Sequence, residues 1–150
     1  MALKGLNKII PKELNPENKE RLTNNFDASI TYSRQIGNIY TGSLYLGLLS
    51  LLEQSQDLKA GDKIGFFSYG SGAVSEIFSG RLVEGYKDLL RSDRLDTFAK
   101  RQHLSVADYE KLFYEEAQLD DTGSTQFADY QTGAFRLAEI SEHQRIYKGH

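Results

Sequence analysis

Two short segments hold the residues best suited to chemistry: Asn38-Ile39-Tyr40-Thr41-Gly42-Ser43-Leu44-Tyr45 and Phe67-Ser68-Tyr69-Gly70-Ser71-Gly72. The first opens an apolar helix and the second closes an apolar strand. At such ends, backbone N–H groups and short side chains are left free to meet a ligand. Asn38 can donate a hydrogen bond to a ligand carbonyl, helped by the positive end of the helix dipole. It can also cap the helix or close a turn after Gly37, and on the residues alone that reading is the stronger. Tyr40 and Tyr69 can each offer a phenol to a substrate, although buried tyrosines commonly find a structural partner. Ser68 and Ser71 can line an acyl pocket or simply populate a glycine hairpin. Gly70-Ser71-Gly72 is not a Walker loop, because the lysine and the glycine spacing are missing.

The chain offers little else for catalysis. It has no cysteine, which removes disulfides, thiolate metal sites and thiol nucleophiles together. His103, His143 and His150 are isolated, none with a partner at metal-binding spacing. Glu115, Glu116, Asp120 and Asp121 read as a solvated acidic run, and no general acid/base pair stands out. A net charge of −3 argues against non-specific nucleic-acid binding, which needs a basic stripe. Leu44 to Leu52, broken by Gly47 and Ser50, is far short of the roughly 20 apolar residues that span a bilayer. Met1-Ala2-Leu3-Lys4-Gly5-Leu6 lacks the apolar core and cleavage site of a signal peptide, so the cytoplasm is the expected compartment.

The elements that must position the two segments follow from periodicity. At 150 residues and 39% hydrophobic, the chain is expected to form one globular domain, 1–150. Leu3, Leu6, Ile9 and Ile10 recur at helical spacing. Asn15-Pro16-Glu17 starts a second helix, with Leu22, Phe26 and Ile30 as its stripe. Thr41 is the expected cap of a third helix reaching about Gln56, apolar on all sides for two turns and so expected to be central and buried. Lys63 to Tyr69 and Ala73 to Val83 read as a hairpin turning at Gly70-Ser71-Gly72. Tyr86 to Glu116 reads as helical, with a capping box at Ser105 to Asp108 and Leu112 and Phe113 as anchors. Gln118 to Thr125 is an expected loop, and Phe135 to Ile140 with Arg145 to Tyr147 one or two strands. The fold class is α/β, with a mixed sheet, an antiparallel hairpin and packed helices.

Gly37 to Tyr45 and Phe67 to Gly72, followed by Leu82-Val83-Glu84-Gly85-Tyr86-Lys87-Asp88, together resemble the bacterial 3-hydroxy-3-methylglutaryl-CoA synthase family. The closing Phe135-x-Leu-x-x-Ile140 with Arg145 and Tyr147 is similar to that family's last strands, so the resemblance covers nearly the whole chain. It implies the C-terminal half of a thiolase-like fold, in which two related halves meet at the active site. It also implies condensation of acetyl-CoA with acetoacetyl-CoA in the mevalonate pathway, by a cysteine, a glutamate and a histidine, with CoA thioesters as substrates and no other cofactor. None of those three catalytic residues falls on this chain. Met1 to Lys4 resembles the segment just after the histidine, so the N-terminal half is absent from the sequence, as in a cloned fragment or a truncated reading frame. What the resemblance does carry is a substrate-binding wall. It places Asn38 on the acetoacetyl group, Ser68, Tyr69, Gly70 and Ser71 along the acyl chain, Tyr40 beside them, and Lys4 near the CoA phosphates.

Two readings follow. In the first, the chain is part of an acyltransferase and inert alone, its partners being acetoacetyl-CoA or HMG-CoA, the N-terminal half and, as a homodimer or self-associated species, further copies of itself. In the second, it is a non-catalytic acyl-CoA-binding or protein-interaction module.

Overall fold

The computed structural model describes residues 2–70, 72–91, 93–128 and 133–149. They fall into two units, Met1–Ser92 and Asp93–His150. The first unit begins with helices α1 (Ala2–Ile9) and α2 (Pro16–Ile36). Asn15 caps α2 as its sequence requires: its side chain accepts from the Asn18 amide, Pro16 occupies the first turn, and Gly37 closes the far end at φ 86°. Helix α3 (Gly42–Gln54) packs along α2.

The contact between α2 and α3 is set by small residues. Gly47 lets the Ser29 carbonyl come close, since an added Cβ would sit 3.4 Å from it. Ser50 is fully buried; its hydroxyl donates to the Ala28 carbonyl at 2.6 Å and accepts from the Tyr32 amide at 3.2 Å. One α3 side chain therefore bridges two groups that close a single turn of α2. The Tyr32 ring is buried beside it, with its hydroxyl donating to Glu53 Oε2.

Strands β1 (Lys63–Tyr69) and β2 (Ser75–Arg81) form an antiparallel hairpin, with Phe66 opposite Phe78 and their rings stacked at 4.8 Å. The Gly61 and Leu82 amides extend the ladder beyond the strands. Asp62 ties the start of the hairpin to α2 through Arg21 at 2.8 Å. A 3-10 turn at Tyr86–Leu89 follows, and the buried Tyr86 donates to the Leu58 carbonyl.

The second unit carries α4 (Arg94–Ala99), α5 (Val106–Tyr114) and a three-stranded antiparallel sheet of β3 (Thr125–Gln126), β4 (Phe135–Ser141) and β5 (Gln144–Gly149). A bulge between Leu137 and Glu139 interrupts the β4–β5 ladder beside the buried Ala138.

The α/β content with an antiparallel hairpin is as the sequence implied. Every described pairing is antiparallel and lies in one of two separate sheets, because each described ladder joins strands that are neighbours in sequence. Other details differ. Helix α3 is half-buried over most of its length, with Tyr45 64% exposed, so its apolar girdle is only partly covered. Thr41 makes no side-chain cap because its backbone is already helical, at φ −61° and ψ −24°. The hairpin closes over residues 70–74, with the left-handed turn position at Ala73 (φ 58°). Tyr86 to Glu116 is three short helical pieces, and Leu112 and Phe113 are exposed. Ser105 restarts the chain as a cap for α5, accepting from the Asp108 amide and donating to its carboxylate.

Candidate functional site

The turn into α3 is built around Asn38. Its Oδ1 accepts from the Tyr40 amide at 2.9 Å and from the Ser43 hydroxyl at 3.3 Å. The Ser43 Oγ in turn accepts from the Ile39 amide at 3.0 Å. Gly42, Ser43 and Leu44 then donate to Ile39, Tyr40 and Thr41, a tightened first turn. Holding this shape places Tyr40 at φ 54°, a left-handed conformation that aromatic residues rarely adopt.

These bonds fix the polarity of the Asn38 amide. A backbone N–H can only donate, so the oxygen must face Tyr40 and the NH2 group cannot. Asn38 is exposed, and its Nδ2 has no partner among the described residues. The capping and ligand-donor readings of Asn38 thus divide by atom: the oxygen serves the turn, and two N–H bonds are left over.

A cavity of about 650 Å3 adjoins this turn, within the range of small-molecule sites. Helices α1, α2 and α3 and strand β1 all line it. Leu44, Leu48, Phe26, Ile30 and Ile64 give it an apolar wall, while Ser29, Ser33, Ser43, Ser68 and the Tyr40 and Tyr69 phenols supply polar points. Tyr40, at 79% exposure, and Tyr69, at 57%, stand at its open side with no structural hydrogen bond to their hydroxyls among the described residues. Ser68 faces inward on β1, half-buried.

The structure thus brings Tyr40, Ser68 and Tyr69 to one cavity and joins Asn38 to it through Ser43. Gly70 pairs with Val74 to close the hairpin next to Tyr69 and is not part of the lining. Ser71 lies outside the described residues. Lys4 is exposed on α1 and does not line the cavity, whereas Lys8, one turn later, does. Ser43 belongs to the segment Asn38 to Tyr45, but its residue type alone assigns it no role. The available signal was a hydroxyl five residues after an asparagine at a helix entrance, a spacing that lets one turn satisfy both. His103 and His143 lie in the other unit, and His150 is outside the described residues.

Residues 4–150 match the hydroxymethylglutaryl-coenzyme A synthase C-terminal family. A hydroxymethylglutaryl-CoA synthase of Enterococcus faecalis is 52% identical over 103 residues, which cover 68% of this chain and 27% of that protein. A crystal structure of an HMG-CoA synthase complexed with CoA superposes with a TM-score of 0.85 at 64% identity, over 99% of this chain and 38% of the other. A Streptococcus mutans UA159 structure gives 0.81 at 60% identity, over 99% of this chain and 39% of its own. This chain spans roughly a third of the length of those relatives. It belongs to the hydroxymethylglutaryl-CoA synthase family and corresponds to the C-terminal portion of that family's thiolase-like enzymes.

Proposed function

We propose that the chain serves as the C-terminal portion of an enzyme condensing acetyl-CoA with acetoacetyl-CoA to HMG-CoA, with the Asn38 turn and the end of β1 on the acetoacetyl-facing side. The observation that carries this is the Asn38 amide, whose oxygen is committed to the turn and whose NH2 is left to donate, while Ser43, its hydrogen-bond partner, lines a part-apolar cavity. An acetoacetyl thioester needs both features: donors for its carbonyl oxygens and a dry wall for its short carbon chain. Ser68 and Tyr69 add hydroxyls at the same cavity, and Tyr40 stands at its open side. On the family resemblance alone, Gly70 and Ser71 are assigned to the acyl chain and Lys4 to the CoA phosphates. No organic cofactor beyond the CoA thioesters enters this scheme, and a reducing compartment such as the cytoplasm suits it.

The chemistry needs a nucleophile, and this chain has no cysteine. Isolated, it therefore forms no acetyl adduct by intact mass and releases no CoA from acetyl-CoA plus acetoacetyl-CoA. Joined to the family's N-terminal portion it turns over, and Asn38→Ala lowers kcat/KM by about 100-fold, the scale for losing one donor to a developing oxyanion. Turnover by the isolated chain would overturn its dependence on the N-terminal portion, and a wild-type rate in Asn38→Ala would remove the role of Asn38. Tight binding of acetoacetyl-CoA by the isolated chain in calorimetry, together with an inactive joined protein, would favour the non-catalytic module instead.

A further inference from the structure

We infer that Ser43 is a positioning residue that acts through Asn38, holding the amide in the one orientation that leaves both of its N–H bonds for a ligand; this rests on the reading of Asn38 as a substrate donor. The hydrogen bonds have a direction that can be followed from atom to atom. The Ile39 amide can only donate, so the Ser43 oxygen accepts from it at 3.0 Å and the single hydroxyl proton is free to go elsewhere. That proton goes to Asn38 Oδ1 at 3.3 Å. The Tyr40 amide, also an obligate donor, reaches the same oxygen at 2.9 Å. Two donors therefore converge on Oδ1 from a turn whose backbone is itself fixed by a left-handed Tyr40. Rotating the amide by half a turn would bring its NH2 against the Tyr40 N–H, donor facing donor.

With alanine at position 43, the Tyr40 amide alone holds Oδ1 and the side chain gains torsional freedom. The donor then has to be ordered at the moment of reaction, which lowers kcat more than it raises KM. Ser43 also lines the cavity, so a direct touch on substrate is the competing explanation, and the two differ in additivity.

The test is a double-mutant cycle in this chain joined to the family's N-terminal portion. Ser43→Ala should lower kcat/KM about three- to tenfold, the range for one lost hydrogen bond, and Asn38→Ala about 100-fold. In the Asn38→Ala background, Ser43→Ala should lower the rate no further, with melting temperatures of all variants recorded alongside. A second arm uses Asn38→Asp, which keeps the oxygen acceptor for the turn and loses the donor; it should melt near wild type and be as slow as Asn38→Ala. If the two alanine effects simply multiply, Ser43 acts on its own and the inference is overturned while the Asn38 reading stands. If Asn38→Ala and Asn38→Asp both run at the wild-type rate, the reading of Asn38 fails and this inference fails with it.

Discussion

Tyr40 holds its backbone in a region where a side chain crowds its own carbonyl, and being 79% exposed it recovers little by packing. Asparagine tolerates this region and valine does not. Tyr40→Asn is therefore expected to leave the thermal midpoint unchanged or raised, while Tyr40→Val lowers stability by about 1–3 kcal/mol. Equal midpoints for the two variants would refute the strain argument. A second residue-scale prediction concerns Asp120, whose carboxyl is held below its ordinary value of 3.8 by the Thr122 hydroxyl and then by the Ser124 and Thr122 amides. A depressed carboxylate favours the folded turn above the ordinary value and loses that contribution as pH falls through the depressed one. The 120–124 turn should thus stay intact until below pH 3.8, followed by the Thr122 and Ser124 amide resonances. An Asp120 midpoint at or above 3.8 would contradict it. At this scale Asn38 was legible as an unusual residue at a helix start. Its division of labour by atom was not, because that depends on Ser43 and Tyr40 folding back to the same oxygen.

Between elements, the α2–α3 contact rests on the room that Gly47 and Ser50 leave for close approach. Ser50→Ala removes the bridge, while the Ala28 carbonyl and Tyr32 amide keep their places in the α2 ladder, so about 1 kcal/mol should be lost. Ser50→Val adds volume where nothing yields and should cost more, about 2–3 kcal/mol by denaturant unfolding. If valine is tolerated as well as alanine, the two helices are not held close by this residue. The elements themselves were largely readable, since Asn15-Pro16 marks the start of α2 and the apolar run of Lys63 to Tyr69 coincides with β1. The region Tyr86 to Glu116 was not, because the backbone turns extended at Leu90 after the 3-10 turn and restarts with Ser105 as a cap, breaking a pattern that composition alone reads as continuous helix.

Over the whole molecule, the buried hydrophobic residues among those described are few: Tyr32, Leu58, Tyr86 and Ala138. A helix as apolar as α3 would ordinarily be enclosed, yet it is half-covered, and Phe67, Tyr69, Val74 and Ile77 of the hairpin stand exposed. The longer family proteins have further chain with which to cover such surface. The isolated 150-residue chain is therefore expected to self-associate, seen by light scattering as a mass that rises with concentration. A strictly monomeric mass at all concentrations would count against this. The apolar pattern of α3 reads as a buried central helix, whereas the described residues cover it only in part, because such a pattern reports which surface is apolar and not what packs on it.

The turn at Asn38 bears also on chemical ageing. Asparagine deamidates when the backbone nitrogen of the next residue attacks its side-chain carbonyl carbon, and here that nitrogen belongs to Ile39, engaged with the Ser43 hydroxyl. The hydroxyl that orients the amide therefore also engages its attacker. That attack expels ammonia and closes a succinimide, which water opens to aspartate or isoaspartate; neither has an N–H to offer, and the aspartate can still accept from the Tyr40 amide. Damage at this position would silence the donor. Ser43→Ala is expected to hasten it, as intact-mass measurements over prolonged storage would register.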